Sequence, residues 1–341
     1  FDPGCGWHVR ATTPVDLADW VVAGKQVRAH NAQFERTILN GVAGQKVGFP
    51  HLTIEQMVCT AAKAAAASLP RDLDGAAKAR GTYPKMEVGK NDMLACAKPR
   101  NKKEPDPGSP APRWTPENDP ERYVRLYAYC IDDVKAERDL DKNTPDLSPD
   151  EQSIWELDQT INDRGVAVDL ESVRNAIHLI AERKAELVAR CKTLTGFKPT
   201  QTAEISKWIR ANGYPQLENL QADTVNRAQE DKACPLIVRE LLMIYSAHNM
   251  KAVSKYDAIL RAVCADGRLH GMFLYYGANT GRWSSLIVQL QNLYRPKIKD
   301  TDTAIQAFAT RDLDWLKFLY PGIESMKVLA SCIRGVLWAP E

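Results

Sequence analysis

The sequence lacks the features of a membrane protein, a zinc protein or a disulfide-stabilised secreted domain. Its apolar runs all fall short of twenty residues and the mean hydropathy is −0.37, so no segment is long enough to span a bilayer. The eight cysteines are scattered, with no C-x-x-C pair and no Cys/His spacing suited to zinc. We therefore expect a protein of a reducing compartment, cytoplasmic and without a membrane partner.

The chain also lacks a charge excess of either sign. Lys and Arg number 45 and Asp and Glu 43, so any surface for an anionic partner must be local. With 341 residues, 44% of them hydrophobic and 26% charged, the composition excludes wholesale disorder and predicts two or three globular domains.

Three segments differ in pattern. Residues 1–145 alternate a short strand near Gln26 with helical stretches, interrupted at 99–120 by seven prolines, which cannot sustain a helix. Residues 146–265 read as helices, including a long one from 170 to 194 and another from 235 to 264. Residues 266–341 begin with strand-like aromatic residues and continue with short helices.

Capping residues define the start of the middle segment. Ser148 precedes a proline suited to the first helical position, and Glu151 stands where a capping box has its acid. Gly165 predicts the end of that helix, and Asp169 predicts the cap of the next one.

A Gly-Arg motif near the end of the chain indicates a phosphate or nucleic-acid ligand. Thr280, Gly281 and Arg282 are followed by two serines and then by Gln291-Asn292-Leu293. The glycine allows close approach of the backbone, and the guanidinium offers a planar fork of donors. From Lys251 to Lys299 there are eight Lys or Arg and two Asp, a local charge of +6 that favours a polyanion.

The T-G-R-x-S-S and Q-N-L pattern resembles the start of the palm of family A DNA polymerases, the group of bacterial DNA polymerase I and many phage replicases. Two earlier motifs resemble those of proofreading 3′-to-5′ nucleases with the RNase H-like DEDD fold: Asn31-Ala32-Gln33-Phe34-Glu35, and Tyr129 followed by Asp133. Four residues make about one helical turn, so Tyr129 and Asp133 share a helix face. The order of the motifs also matches, and the resemblance covers nearly the whole chain.

The resemblance implies an α/β plus α fold: an RNase H-like exonuclease domain at 1–145, incomplete at its N-terminus, a helical thumb at 146–265 and the start of a palm at 266–341. It implies DNA polymerase function with proofreading, primer-template DNA with a single-stranded 3′ end in the exonuclease site, dNTPs, and a monomer. Tyr129, Asp133 and Glu35 would be catalytic, the two acids binding Mg²⁺ or Mn²⁺. The residues implied to contact DNA are Asn31, Phe34, Lys251, Ser254, Lys255, Tyr256, Thr280, Arg282, Ser284, Ser285, Gln291 and Asn292.

Two departures from the pattern limit the expected activity. Glu35 stands where the second exonuclease motif usually has aspartate, which would displace the carboxylate by about one methylene. The first exonuclease motif is expected before Phe1 and the polymerase aspartates after Glu341, so we expect the chain alone to be catalytically incomplete. A free-standing DEDD exonuclease and a non-catalytic DNA-binding module with a degenerate nuclease fold remain alternatives.

Overall fold

The computed structural model describes residues 15–83, 89–98, 113–278 and 280–338, which form two compact units. The first unit comprises 1–161 and 275–284, and the second comprises 162–274 and 285–341. Packing therefore divides the chain differently from the three segments expected from sequence, whose functional division remains a prediction. Among the described residues, no helix is long and apolar enough to cross a membrane.

The first unit is mainly helical. Its helices are α1 Val15–Val22, α2 Ala32–Ile38, a π-helical turn Leu39–Ala43, α3 Gly44–Val47, α4 Thr60–Ala66, α5 Leu73–Arg80, α6 Lys90–Cys96, α7 Pro120–Asn143 and most of α8 Pro149–Arg164. Strand β1 Val27–Ala29 pairs in parallel with β2 Met57–Cys59, in a register that aligns Val27 with Met57. The strand and helices expected here are confirmed, whereas the RNase H-like assignment remains a prediction.

Capping groups start the helices of the first unit where the sequence places them. The Asp72 carboxylate accepts a 2.8 Å hydrogen bond from the Gly75 amide at the start of α5, and Ser148 Oγ accepts one of 3.3 Å from the Glu151 amide at α8. The Glu151 carboxylate was expected to complete the capping box, but its Oε2 accepts a hydrogen bond from the Tyr275 hydroxyl. The reason is tertiary packing, which brings residues 275–284 into this unit.

The second unit combines helices with two small sheets. Its elements are β3 Val166–Val168, α9 Leu170–Thr195, α10 Thr202–Ala211, α11 Ala222–Glu230, α12 Leu236–His248, a 3₁₀ turn Lys251–Val253, α13 Ser254–Ala262, β4 Arg268–Leu269, β5 Phe273–Leu274, β6 Ser284–Ser285, a 3₁₀ turn Leu290–Asn292, α14 Thr301–Phe308, α15 Leu313–Leu319, α16 Ser325–Ser331 and β7 Leu337–Trp338. Strand β3 lies between β4 and β7, antiparallel to both, and β5 pairs with β6.

Helix α9 organises the apolar core of the second unit. The Asp169 carboxylate caps it by accepting a 2.9 Å hydrogen bond from the Ser172 amide, and Gly196 ends it at a φ of 82°. Val173, Leu179 and Leu187 on its inner face are almost completely buried. Both ends and the apolar stripe expected from sequence are therefore confirmed.

The single helix expected over 235–264 is wrong. Helix α12 stops at His248, a 3₁₀ turn follows, and α13 begins at Ser254. The Asn249 side chain donates a 3.1 Å hydrogen bond to the carbonyl oxygen of Tyr245, one turn back. An asparagine side chain that bonds to the backbone in this way competes with the hydrogen bonds of the helix. Because the apolar period resumes after the break, the sequence pattern did not reveal the break.

Candidate carboxylate cluster and nucleic-acid interface

The second-motif residues lie at the junction of β1 and α2. Asn31 precedes α2 in the left-handed conformation, at a φ of 73°, and its side chain is exposed. The Phe34 side chain is 61% exposed, so it is available for an external contact and is not a core aromatic. Glu35 is half-buried on the same helix, and burial raises the pKa of its carboxyl.

The third-motif residues lie on the buried side of α7. Tyr129 is 3% exposed and packs against Gly89, where an added Cβ would lie 2.6 Å from the Tyr129 Cβ. Asp133 follows one turn later and is half-buried. The opposite side exposes Val124 and Val134. Helix α7 thus turns polar groups inward at this place.

Glu137, which the motifs did not indicate, joins the two expected acids. Burial, followed by the charge of Glu35, raises the pKa of the Glu137 carboxyl to about 8, and Asp133 adds a smaller effect. Glu35 on α2 and Asp133 on α7 therefore both lie close enough to Glu137 to affect its pKa. The sequence spacing could have indicated Glu137, because it follows Asp133 by one helical turn. We call Glu35, Asp133 and Glu137 the carboxylate cluster.

A hydrogen-bonded chain connects the cluster to β1. His30 Nε2 lies 2.7 Å from the Arg71 carbonyl oxygen, His30 Nδ1 lies 3.0 Å from Thr60 Oγ1, and Thr60 Oγ1 lies 3.4 Å from Glu137 Oε1. The carbonyl oxygen can only accept, so Nε2 carries a proton. Thr60 Oγ1 donates to Glu137 Oε1, and this hydrogen bond partly offsets the rise in the pKa of Glu137 that burial causes.

The carboxylate cluster does not form a complete metal site. Within the part of the chain that the structure describes, no three His, Cys, Asp or Glu side chains are placed to hold a metal ion. Glu35 and Asp133 are the two members that the motifs predicted as metal ligands, and that role stays a prediction.

A buried lysine and an exposed arginine pair with acids near the cluster. Lys63 is 2% exposed, and its Nζ lies 2.5 Å from Asp141 Oδ1 and 2.7 Å from Asp146 Oδ1. Arg28 reaches the same two carboxylates, at 2.9 and 3.2 Å. The hydrogen bond from Lys63 lowers the pKa of Asp146. Asp141 lies on α7 one turn after Glu137, so these pairs neutralise an acid close to the carboxylate cluster.

The second unit carries an exposed patch of amides, hydroxyls and one lysine. Lys255 Nζ lies 3.4 Å from Gln289 Oε1. The backbone N–H of Gln291 donates a 3.3 Å hydrogen bond to Ser285 Oγ, and the backbone N–H of Asn292 donates one of 2.9 Å to the Gln289 carbonyl oxygen. We call Lys255, Ser285, Gln289, Gln291 and Asn292 the amide patch. Lys251 and Ser254, two of the expected DNA contacts, are exposed one turn before Lys255.

Tyr256 is wrong as an expected DNA contact. Its side chain is fully buried and its hydroxyl donates a 2.8 Å hydrogen bond to the Leu329 carbonyl oxygen. Burial raises the pKa of this phenol well above its ordinary value. The residue follows Lys255, and the helical period turns it inward to α16. Among the described polar residues near Lys255 is Gln289, which the motifs did not indicate and whose Oε1 lies 3.4 Å from Lys255 Nζ.

The Gly-Arg turn belongs to the first unit. Gly281 has a φ of 78°, its amide donates to the Ala278 carbonyl oxygen, and the Ala278 amide donates to the Arg282 carbonyl oxygen. Thr280 and Arg282 are exposed, and Ser284 packs so closely on Gly277 that a Cβ there would lie 1.9 Å from Ser284 Oγ. Asn279, also in this motif, lies outside the described residues. The turn thus presents the Arg282 guanidinium at the surface.

Comparison with known proteins supports one relationship by sequence. No protein-family model matches the chain. A protein described as DNA polymerase, from Bacillus phage SP02, is 34% identical over 315 residues, which are 91% of this chain and 47% of that protein. A solved structure of the POL domain of Pol1 from M. smegmatis, in complex with DNA primer-template and dNTP, was also compared. The alignment covers 83% of this chain and 46% of the Pol1 chain, with a TM-score of 0.47 and 17% sequence identity.

The chain spans about half the length of the phage protein that it matches. Identity of 34% across nine tenths of the chain confirms the predicted resemblance to a DNA polymerase, while the resemblance to a proofreading nuclease stays a prediction. The chain is therefore homologous to a phage DNA polymerase.

Proposed function

We propose that this chain is part of a family A DNA-directed DNA polymerase and binds primer-template DNA. In this proposal residues 1–145 derive from a proofreading 3′-to-5′ exonuclease domain, residues 146–265 supply the thumb, and residues 266–341 supply the start of the palm. The observation that carries the proposal is the amide patch. In a chain homologous to a phage DNA polymerase, it exposes Gln291 and Asn292 of the Q-N-L motif near the half-buried Ser285 and Lys255.

The chemistry of the patch suits a nucleic-acid duplex. Lysine neutralises phosphate, and the side-chain amides of Gln and Asn both donate and accept at base edges. Exposed Lys251, Arg295 and Lys297 extend the positive charge on the same unit. Arg282, exposed on the first unit, adds a planar donor fork for phosphate.

We propose that Mg²⁺ or Mn²⁺ and dNTPs serve the complete enzyme, which would act as a monomer. A working metal site would need carboxylates in addition to Glu35 and Asp133, because the described residues supply no complete set. We accordingly expect neither primer extension nor efficient proofreading from this chain alone. Clear Mg²⁺-dependent extension of a labelled primer would contradict this expectation.

DNA binding is tested by fluorescence anisotropy of a labelled primer-template. Four or so phosphate contacts would weaken binding roughly 100-fold between 50 and 200 mM salt. Lys255→Ala should reduce the slope of log K against log salt by about one. Lys207→Ala is the matched control, because Lys207 is exposed on α10 and pairs with Glu204. No binding at 50 mM salt, or a slope unchanged by Lys255→Ala, contradicts the proposal.

The carboxylate cluster favours a second candidate, a DNA-binding module with a degenerate nuclease fold. Glu35 stands where the second exonuclease motif usually has aspartate, and the described residues contain no group of three side chains placed to hold a metal ion. This candidate predicts that a 3′-labelled single strand stays intact with Mg²⁺ present. A free-standing exonuclease would instead shorten the strand, and Asp133→Asn would abolish that activity.

A further inference from the structure

A strained turn projects from the amide patch. Ile287 has a φ of 51° and Gln289 a φ of 55°, two residues apart between β6 and the following 3₁₀ turn. The left-handed region is unfavourable for residues with a Cβ and is an outlier for a β-branched one such as isoleucine. Strain of this kind persists only where surrounding structure holds it.

Contacts on either side hold the turn. Val288, between the two strained residues, is completely buried. The Leu286 amide donates a 2.8 Å hydrogen bond to the Met272 carbonyl oxygen, and the Gln289 amide donates one of 3.0 Å to the Leu286 carbonyl oxygen. The anchoring side chain is therefore Val288, and the turn directs its neighbours outward.

The side chain that bears the strain does not benefit from burial. Ile287 is 65% exposed and Leu286 is 42% exposed. An exposed isoleucine in a conformation that glycine or asparagine adopts more readily contributes little to folding. The apolar tip at 286–287 thus needs another explanation than packing.

The surroundings of this tip indicate its ligand. Leu286 and Ile287 follow Ser285 directly and precede Gln289, the residue that approaches Lys255. Proteins that bind the DNA minor groove combine Lys, Asn and Gln with protruding Leu or Ile side chains that press against base steps. The amide patch and the apolar tip together have this composition.

We propose that Ile287, supported by Leu286, makes an apolar contact in the minor groove of the bound duplex. The proposal rests on the proposed DNA-binding function and adds a residue that neither the motifs nor the positive charge indicate. The amides and Lys255 would hold the polar edges and phosphates, and Ile287 would fill the space between sugars and base edges. The backbone strain is then the cost of presenting this side chain.

The test compares Ile287→Asn and Ile287→Val in the full chain. Asparagine tolerates the left-handed conformation, so Ile287→Asn should raise the thermal midpoint while it weakens binding of a primer-template duplex about 10-fold. Ile287→Val keeps an apolar side chain and the strain, and should retain affinity within about 2-fold. Ile237→Asn is the matched control, because Ile237 is an exposed isoleucine of α12 in the same unit and should leave affinity unchanged.

Each outcome decides the proposal. Unchanged duplex affinity in Ile287→Asn overturns it, and so does a lower thermal midpoint, which would show that Ile287 serves folding. An equal loss on a single strand of the same sequence also overturns it, because a minor groove exists only in the duplex. If the unaltered chain fails to bind duplex at 50 mM salt, the proposed function itself fails, and this result is distinct from normal binding that Ile287→Asn does not change.

Discussion

The two units differ in what they bury. The first unit buries charge in its interior: Arg36, Lys63, Asp132 and Asp158 are each less than 9% exposed. Among the described residues of the second unit, Arg183 is the one charged side chain buried to this degree, and the core built around α9 is apolar. Apolar burial stabilises without any requirement for partners, whereas buried charge stabilises only when it is paired. The first unit therefore depends on electrostatic balance, and the second depends on packing.

The same difference separates the two candidate sites. The carboxylate cluster is half-buried in the first unit, where burial raises the pKa of Glu35 and Glu137. The amide patch lies on the surface of the second unit, supported by a packed core. An internal site of this kind responds to pH, and an external one responds to salt.

Lys63→Ala should produce the largest effect, a loss of about 3–5 kcal/mol in the free energy of unfolding of the first unit. The substitution removes a cation that is 2% exposed and leaves Asp141, a carboxylate with a side chain 13% exposed, with Arg28 as its remaining cation. Urea unfolding gives the stability, and hydrogen exchange in α7 and α9 assigns the loss to a unit.

The matched control is Lys78→Ala in the same unit. Lys78 is 59% exposed and pairs with Asp74 one turn away, so its loss should cost less than about 0.5 kcal/mol. Equal effects of the two substitutions, or faster exchange in α9 than in α7 for Lys63→Ala, would contradict the proposed electrostatic dependence of the first unit.

Glu137→Gln should remove a pH dependence of the first unit. Because the pKa of Glu137 is about 8 in the folded protein and 4.5 without its surroundings, the bound proton stabilises this unit fully below pH 4.5. That contribution is lost as the pH rises to 8. Glutamine stays neutral, so the variant should be more stable than the unaltered chain by roughly 2–4 kcal/mol at pH 8 and equal to it near pH 5.

Urea unfolding at pH 5, 6, 7 and 8 measures this effect. Glu121→Gln is the control, since Glu121 is exposed in the first turn of the same helix α7. A constant difference between Glu137→Gln and the unaltered chain across this range would show that Glu137 is already ionised at pH 5.

Local chemistry explains which elements could be predicted from sequence. Asp169 and Gly196 fix the ends of α9 through one hydrogen bond and one positive φ, and both effects act within a few residues. The break after α12 depends on a hydrogen bond of Asn249 that competes with an otherwise continuous apolar period, and sequence reading missed it. The position of residues 275–284 within the first unit depends on tertiary packing, which no local pattern encodes.

The same distinction between local pattern and tertiary packing applies to the residues of the candidate sites. Spacing by one helical turn was enough to place Tyr129 and Asp133 on one side of α7. Spacing did not reveal that Glu137 joins them, because its importance comes from burial and from Glu35 on another helix. The prediction of Tyr256 as a DNA contact was wrong for the converse reason. Its sequence neighbour Lys255 belongs to the amide patch, but the tyrosine side chain is buried and donates a hydrogen bond to the Leu329 carbonyl oxygen.

The second unit offers an acid with the opposite pH response. Arg183 donates to both oxygens of Glu324, with Nε 2.8 Å from Oε1 and Nη2 2.7 Å from Oε2. Burial opposes ionisation of Glu324, but the hydrogen bonds from Arg183 outweigh it and hold the pKa of this carboxyl below its ordinary value. The stabilisation is therefore present above about pH 4.5 and is lost as the pH falls through the lowered pKa.

Glu324→Gln should cost the second unit about 1–3 kcal/mol at pH 7, the smallest of the three effects, because Arg183 keeps Glu186 as a partner at 2.7 Å. The loss should shrink below pH 4, where the unaltered carboxyl takes up a proton. Glu240→Gln is the matched control, since the Arg190–Glu240 pair is exposed and should contribute less than about 0.5 kcal/mol. Hydrogen exchange in α9 and α16 reports the change. A cost that grows on acidification would reverse the sign assigned to Glu324, and the two units would then respond to pH alike, against the comparison drawn from their interiors.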